Sequence, residues 1–403
     1  MEIEKNYSIL KACRFCPMCK HLCSSGNLSM HESDYPRGRG LLIYDVYRGA
    51  QWNSSYVNAI YNCQMCGCCL AGCEGGFDLP ELIRSAREDI VKASKEPDFV
   101  KLLKDKLLST GNSYGKDPCT SFTKKFTSNI TGMPGTGDGH ETLPELFSCE
   151  DIKNSKFYYP FDDSSKKPDC LFITGQAANY EHQEIAAAAT SVFNGLNISF
   201  TLMPEEPDCG KILSILGYED EAKKAAGMFY GKTLNSRAKY IVTSDPVIFD
   251  CLLNDFKRWG LNYRGLKEIL YFSEYLEKVI DEKHVKFKKF AGTVSVVDSE
   301  YLCKKNNRCK SCRNIVKAVS KNNYKELDFP SKEAFTTGET AFCENGSAFT
   351  GGRILGRRII DEALRLGIKT LITLSAAAKD NLLSSADKNI AVFDISEFVL
   401  NSL

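Results

Sequence analysis

The sequence predicts an α+β multidomain protein, in which a helical, cysteine-rich N-terminal domain is followed by two related α/β lobes with parallel sheets. Two runs of closely spaced cysteines, surrounded by helical patterns, lie within the first 73 residues. From Cys170 onward, short apolar runs alternate with stretches that favour helix, which is typical of parallel sheets covered by helices. The 403 residues, 43% of them hydrophobic, are enough for two or three such units.

Both cysteine runs have the spacing C-x2-C-x2-C-x3-C. The first consists of Cys13, Cys16, Cys19 and Cys23, and the second of Cys63, Cys66, Cys69 and Cys73, with Cys68 as an additional thiol. In this spacing, three thiolates surround one cubane iron–sulfur cluster while the fourth reaches a neighbouring cluster. Two runs therefore predict two [4Fe–4S] clusters in a ferredoxin-like helical domain.

The ligand sets follow from the crossed ligation of two-cluster ferredoxins, in which the last cysteine of each run serves the other cluster. This assigns Cys13, Cys16, Cys19 and Cys73 to the first cluster, and Cys63, Cys66, Cys69 and Cys23 to the second. Zinc is the alternative metal, although structural zinc sites use two separated C-x2-C pairs rather than runs of four. A helical pattern at 41–46, and a second that begins with Pro80 in its first turn, are expected to enclose the clusters.

The large number of cysteines is also compatible with a secreted, disulfide-bonded protein. The first residues, however, lack the apolar core of a signal peptide, and no stretch has the length of a membrane span. We therefore expect a cytoplasmic protein with reduced thiols, which reaches a membrane only through a partner. The formal net charge of +1 offers no broad basic surface, so nucleic-acid binding is not expected.

Composition divides the chain into four segments. Residues 1–108 form the helical ferredoxin-like domain, and 109–168, rich in Gly, Ser, Thr, Asn, Asp and Pro, are expected to form a connection over the surface. Residues 169–290 and 291–403 form the first and second α/β lobes. Expected strands lie at 170–175, 196–202, 240–244, 293–298 and 370–374.

This order of two cysteine runs, a connection and two α/β lobes resembles a family of iron–sulfur subunits. The family includes the iron–sulfur subunits of glycolate oxidase and anaerobic glycerol-3-phosphate dehydrogenase, lactate utilisation protein A and the D subunit of heterodisulfide reductase. The resemblance covers nearly the whole chain, and Pro36-Arg37-Gly38-Arg39 and the segment 111–115 also match it. It implies a partner flavoprotein dehydrogenase that is linked to FAD, and a further electron carrier or a quinone-linked subunit.

Each lobe of that family can carry a CCG motif, with an early Cys, a Cys-Cys-Gly and a late Cys-Pro-x-Cys. The positions in the first lobe hold Gln176, Asp208-Cys209-Gly210 and Asp245-Pro246-Val247-Ile248. Those in the second hold Asp298-Ser299-Glu300, Cys343-Glu344-Asn345-Gly346 and Ser375-Ala376-Ala377-Ala378. Only one cysteine remains at the CCG positions of each lobe, and iron in such clusters requires sulfur donors, so the disulfide-reducing chemistry of the family is not expected here.

Three further cysteines suggest a third metal centre. Cys303, Cys309 and Cys312 lie in a basic segment, and the resemblance implies that the loop with Cys343 faces them. Four thiolates fit a third [4Fe–4S] cluster or a zinc ion. The alternative is a charged, solvated loop with free thiols, because C-x2-C alone is a common pattern.

Catalytic motifs are weak throughout the chain, and we assign no catalytic residue. The segment 351–356 lacks the glycine spacing of a dinucleotide site. We therefore expect an electron-transfer subunit between the flavoprotein dehydrogenase and a downstream acceptor. The alternative is a catalytic disulfide or quinone reductase with a reactive cluster in the C-terminal lobes.

Overall fold

The computed structural model of the protein describes residues 1–131, 167–339, 351–386 and 389–403. The predicted α+β multidomain fold is confirmed, since helices surround two small sheets whose strands are all parallel. None of the helices in these ranges combines the length and the apolar character that crossing a bilayer requires.

The N-terminal region is helical. Its helices occupy Glu2–Lys5, Tyr7–Ala12, Ser24–Ser29, Pro36–Tyr47, Ser54–Tyr61, Cys68–Ala71, Leu79–Lys92 and Asp98–Thr110, with a 3₁₀ turn at Glu32–Asp34. The helix with Pro80 in its first turn is confirmed, and Asp78 caps it by accepting a hydrogen bond from the Glu81 amide. Its apolar face, including Leu82 and Ile90, forms the core of this region.

The first sheet has the order β2-β1-β3-β4. The strands are β1 (Cys170–Ile173), β2 (Phe200–Leu202), β3 (Tyr240–Thr243) and β4 (Glu268–Tyr271). Helices between and after them occupy Gln176–Tyr180, Gln183–Gly195, Lys211–Leu216, Glu219–Asn235, Pro246–Asp250, Phe256–Arg258 and Phe272–Lys283, with a π-helical turn at Cys251–Asp255. Residues of β1, including Phe172, are fully buried, as expected for a sheet covered on both faces.

The second sheet has the order β5-β6-β7. The strands are β5 (Val294–Val296), β6 (Thr370–Thr373) and β7 (Ala391–Asp394). Helices occupy Lys310–Ser320, Gly351–Arg365, Ala376–Leu383 and Ile395–Leu400, with a π-helical turn at Glu300–Lys305 and 3₁₀ turns at Lys321–Asn323 and Ser331–Glu333. Glu206 accepts a hydrogen bond from the Thr174 amide just beyond β1, and Glu339 accepts one from the Glu300 amide beyond β5. These matching contacts support a duplication of the lobe.

The three regions pack against one another. One apolar core contains residues from both sheets, such as Phe172 of β1 and Val296 of β5. Leu213 and Leu216 of the first lobe belong instead to the core of the N-terminal helices. The cysteine runs are therefore held against the first lobe by apolar burial.

The connecting segment differs from the expected surface chain. A 3₁₀ turn at Pro118–Thr120 leads into a helix at Phe122–Thr131, in which Phe122 and Phe126 are fully buried against the first lobe. The two phenylalanines are one helical turn apart, so both face the core. Residues 132–166 of the segment lie outside the described residues.

Candidate metal centres

Each of the two cysteine runs contains a backbone turn of the same kind. Phe15 and Met65, each directly before the second cysteine of its run, have φ values of 54° and 49°. Such values are uncommon for residues other than glycine. In both turns the amide of that residue donates to the sulfur of the first cysteine, Cys13 or Cys63, over 3.4 Å. The runs are thus alike in structure as well as in spacing.

The predicted ligands of the second cluster line one cavity. Cys63, Cys66 and Cys69 of the second run line it together with Cys23 of the first, and the additional thiol Cys68 lines it as well. The Gly26 amide donates to the Cys23 sulfur over 3.4 Å. The structure therefore brings together the four thiols that crossed ligation assigns to this centre.

Arg39, from the segment Pro36-Arg37-Gly38-Arg39, lines the same cavity and is fully buried. Its Nε donates to the carbonyl of Ala59 over 2.7 Å, and one terminal nitrogen lies 3.5 Å from Asp34. The positive guanidinium group therefore stands beside the four thiols in a site with little water. It can offset part of the negative charge that thiolate ligands bring.

The predicted ligands of the first cluster come from two segments that approach closely. A Cβ built on Gly75 would lie 2.9 Å from the carbonyl oxygen of Ala12, so only glycine allows the chain after Cys73 to reach the start of the first run. The Phe77 amide donates to the Cys73 sulfur over 3.3 Å. Burial raises the pKa of the Cys13 thiol, and repulsion from Cys73 and Cys16 adds to the increase.

Burial affects the charge of the other thiols too. It raises the pKa of Cys19 to about 11 and raises that of Cys69 well above its usual range. A buried thiolate without a cation is costly, whereas bound iron compensates the charge and keeps the sulfur deprotonated. Sulfur donors and amides directed at sulfur fit iron–sulfur clusters at both centres, and buried arginine adds a positive charge at the second.

Arg87 lies next to the second centre, and sequence analysis did not identify it. Its side chain is buried and donates to the carbonyls of Ile60, Tyr61, Cys63 and Ile215 over 2.7–3.2 Å. Among the described residues, no carboxylate forms an ion pair with it. Burial lowers its pKa, so this cation has a high energy unless an anionic group lies close. An anionic cluster bound by Cys63 would supply that charge.

The second centre also touches the second lobe. The thiol of Cys68 lies 3.8 Å from the carbonyl oxygen of Ala334, to which Lys304 donates over 2.6 Å. A Cβ built on Gly67 would lie 3.8 Å from Cβ of Lys304. Cys68 therefore lies both in the lining of the cavity and at the contact with the second lobe.

The candidate third centre is only partly assembled. The ligand atoms of Cys303, Cys309 and Asp298 lie within 4.8 Å of one another. Cys312 is outside this group and is buried in the apolar core, and Cys343 lies outside the described residues. The Asp298 carboxylate already accepts two hydrogen bonds from Arg313, both of 2.6 Å, and one from the Ser331 amide. A metal ion would have to compete with that guanidinium group.

Comparisons with known proteins indicate what the chain is related to. No family model matches it. It is 23% identical over 362 residues to the D subunit of the dihydromethanophenazine:CoB–CoM heterodisulfide reductase of Methanosarcina barkeri, which covers 86% of this chain and 79% of the relative. The corresponding protein of Methanosarcina acetivorans is 24% identical over 245 residues, or 58% of this chain and 50% of the relative. The glycolate oxidase iron–sulfur subunit of Escherichia coli is 30% identical over 100 residues, a quarter of each chain.

The chain is a homologue of iron–sulfur subunits. The relatives match the family that the cysteine motifs resemble, which confirms that prediction. They are subunits of a reductase and of an oxidase, so homology supports iron–sulfur clusters, electron transfer and partner subunits for this chain.

Proposed function

We propose that the protein is an electron-transfer subunit that holds two [4Fe–4S] clusters, the first on Cys13, Cys16, Cys19 and Cys73. The second is on Cys63, Cys66, Cys69 and Cys23. The observation that carries the proposal is the cavity in which Cys23 joins Cys63, Cys66 and Cys69 of the second run, with the additional thiol Cys68 also in its lining. Clusters of this type supply one-electron redox chemistry.

The protein's own groups have two roles in this proposal. Amides such as those of Phe15 and Met65 donate to cysteine sulfurs, and hydrogen bonds to sulfur favour the more negative, reduced state. The guanidinium groups of Arg39 and Arg87 act in the same direction through their charge.

The partner that we propose is an FAD-linked flavoprotein dehydrogenase, which passes electrons to the subunit for delivery to a downstream carrier or a quinone-linked subunit. The alternative, a reductase with a reactive cluster in the lobes, would need several thiolates at the CCG positions. Among the described residues at these positions, only Cys209 carries sulfur. Electron transfer is therefore favoured over disulfide reduction.

A third centre on Cys303, Cys309, Cys312 and Cys343 stays a separate proposal. The two thiols that lie together, with Asp298 beside them, support a zinc ion as well as iron–sulfur. Metal analysis of a Cys303→Ser, Cys309→Ser variant tests it. A site is present if the variant loses zinc, or about four irons, relative to the unchanged protein.

The main proposal is tested on anaerobically purified full-length protein. We expect about eight irons and as many sulfides per chain, and an EPR signal after reduction with dithionite. The flavoprotein that copurifies should reduce the clusters when given its substrate, while the isolated chain turns over neither a hydroxy acid nor a disulfide. Zinc without sulfide, or rapid disulfide reduction by the isolated chain, would contradict the proposal.

A further inference from the structure

Two cysteines of the second lobe lie side by side. Cys303 belongs to the π-helical turn Glu300–Lys305, and Cys309 directly precedes the helix Lys310–Ser320. Their sulfur atoms lie within 4.8 Å of each other. Cys312, the next thiol along the chain, lies outside this group and is buried in the apolar core. The structure therefore places two thiols together at this position.

The backbone between the two cysteines forms a closed turn. The Arg308 amide donates to the carbonyl of Leu302 over 2.7 Å, and each of these residues directly precedes one of the cysteines. Asn307 has a φ of 57°, and the Asn306 side chain donates to the carbonyl of Tyr301 over 2.8 Å. The turn thus holds the backbones of the two cysteines close together, as a disulfide requires.

The described residues supply too few further ligands for a metal ion on this pair. A structural zinc site uses four protein ligands. Asp298 is the third group close by, and both its oxygens already accept hydrogen bonds from Arg313, each 2.6 Å long. Two adjacent thiols without a bound metal have another chemistry available, which is exchange with disulfides.

Exposure gives the two thiols different roles. Cys309 is partly exposed, whereas Cys303 is fully buried and its thiol donates to Asp298 over 3.0 Å. A molecule from solvent can therefore reach the Cys309 sulfur, and the Cys303 sulfur is placed to react with whatever Cys309 has bound. A partly exposed thiol beside a second, resolving thiol is the usual arrangement of a reactive pair.

We propose that Cys303 and Cys309 are a dithiol that exchanges with low-molecular-weight disulfides, with Cys309 as the attacking thiol and Cys303 as the resolving thiol. The Cys309 sulfur attacks one sulfur of R–S–S–R, the bond between the two sulfurs breaks, and R–S⁻ leaves and takes up the proton that Cys309 lost. Cys303 then attacks the Cys309 sulfur of the mixed disulfide, and the second R–S⁻ leaves with the proton of Cys303. The two cysteines are oxidised to one disulfide, and one small disulfide is reduced to two thiols.

The inference does not depend on the two N-terminal clusters, because it concerns one exchange per chain on thiols outside both cysteine runs. It is an alternative to the third metal centre, since a metal that held both sulfurs would prevent the exchange. One experiment separates the two.

That experiment uses the anaerobically purified full-length protein, with hydroxyethyl disulfide as the probe. After the reaction, free thiols are blocked with N-ethylmaleimide and tryptic peptides are analysed by mass spectrometry. Trypsin cleaves after Lys304, Lys305 and Arg308, so a disulfide between Cys303 and Cys309 joins two separate peptides. We expect these linked peptides.

Three results would overturn the proposal. Cys309 could carry only a lasting mixed disulfide, it could pair with a cysteine other than Cys303, or it could fail to react. The third result, together with zinc or with iron in excess of about eight atoms per chain, would assign the pair to a metal centre instead.

Variants test the order of the two steps. Cys303→Ser should stop at the mixed disulfide on Cys309. In Cys309→Ser, modification of Cys303 should be slower by about tenfold or more, because the remaining thiol is buried. Cys119→Ser is the control, since Cys119 is an exposed thiol outside this turn, and its removal should leave the yield of the linked peptides unchanged. Unimpaired modification of Cys303 in the absence of Cys309, or loss of the link in the Cys119 variant, would refute the assigned roles.

Discussion

Buried thiols in the N-terminal domain are accompanied by buried guanidinium groups, whereas Asp208 and Asp245, in a cavity between the lobes, form no ion pair with any described residue. Arg39 and Arg87 serve the cysteine runs, and Asp208 and Asp245 stand at positions where the related family carries a CCG motif. In the first region, the positive arginine side chains offset the negative charge of thiolates. In the second, no described side chain forms an ion pair with the two aspartates. The difference favours a metal bound by sulfur in the first region. In the second region protonation can remove the charge, because burial raises the pKa of Asp208 and that of Asp245 to about 6.

The largest expected effect concerns which cysteine thiols bind the clusters. Changing Cys66 to Ser should remove one cluster, so that iron falls from about eight to about four per chain, because a cubane needs four sulfur ligands. Cys68→Ser is the matched control two residues away in the same cavity, and it should keep its iron because the spacing of the second run leaves Cys68 outside the ligand set. Iron and sulfide analysis measures both. Loss of iron from the Cys68 variant alone would contradict the crossed assignment.

The effect of the positive charge of Arg87 on the second cluster can be tested separately. Arg87→Met removes the charge and four hydrogen bonds to buried carbonyls, and should lower the free energy of unfolding by about 3 kcal/mol. It should also make the reduction potential of the second cluster more negative, because the cation no longer stabilises the reduced state. Redox titration followed by EPR measures the potential.

Two further variants separate charge from structure at this site. Arg87→Lys keeps the charge but not the pattern of hydrogen bonds, so it should lose stability with a smaller change in potential. Arg84→Met removes a charge on the same helix, from a side chain paired with Glu81 and Glu88. An unchanged potential in Arg87→Met, or an equal change in Arg84→Met, would show that Arg87 has no special role.

The buried Asp245 carboxyl should make the free energy of unfolding depend on pH. Burial raises the pKa of the Asp245 carboxyl to about 6, above its value in the unfolded chain. Between pH about 4 and 6 the unfolded chain releases this proton while the folded protein keeps it, so stability falls as pH rises through this range. Asp245→Asn should therefore be more stable than the unchanged protein by about 1–2 kcal/mol at pH 7, with little difference below pH about 4.

Urea unfolding at several pH values measures this difference. Asp78→Asn changes another carboxylate that caps a helix, but outside the cavity, and controls for effects on capping itself. If the advantage of Asp245→Asn were the same at all pH values, ionisation of Asp245 would not be its cause.

The sequence predicted the parts whose signal is local. Cysteine spacing identified four of the five thiols that line the second cavity as ligands, and apolar runs identified five of the seven described strands, missing β4 and β7. Arg87 could not be predicted, because it lies among ordinary charged residues of a helix and its partners include Ile215, 128 positions away. The helix with Phe122 and Phe126 was missed because polar residues surround the two phenylalanines, although their spacing of four was a usable signal.

The smallest expected effect concerns backbone turns, where the two regions differ again. The lobe uses a glycine, Gly175 with φ of 84°, for its sharp turn after β1, whereas the first cysteine run uses Phe15. Phe15 is 42% exposed, so Phe15→Gly and Phe15→Ala lose the same partial burial of the ring, but glycine alone relieves the left-handed conformation. Glycine also increases the entropy of the unfolded chain, which leaves Phe15→Gly more stable than Phe15→Ala by about 0.5 kcal/mol. At Arg14, a neighbouring residue without positive φ, glycine should instead be less stable than alanine, and urea unfolding compares the two pairs of variants. If Phe15→Gly were no more stable than Phe15→Ala, the turn before Cys16 would not be left-handed in solution, and the similarity of the two runs would be limited to their spacing.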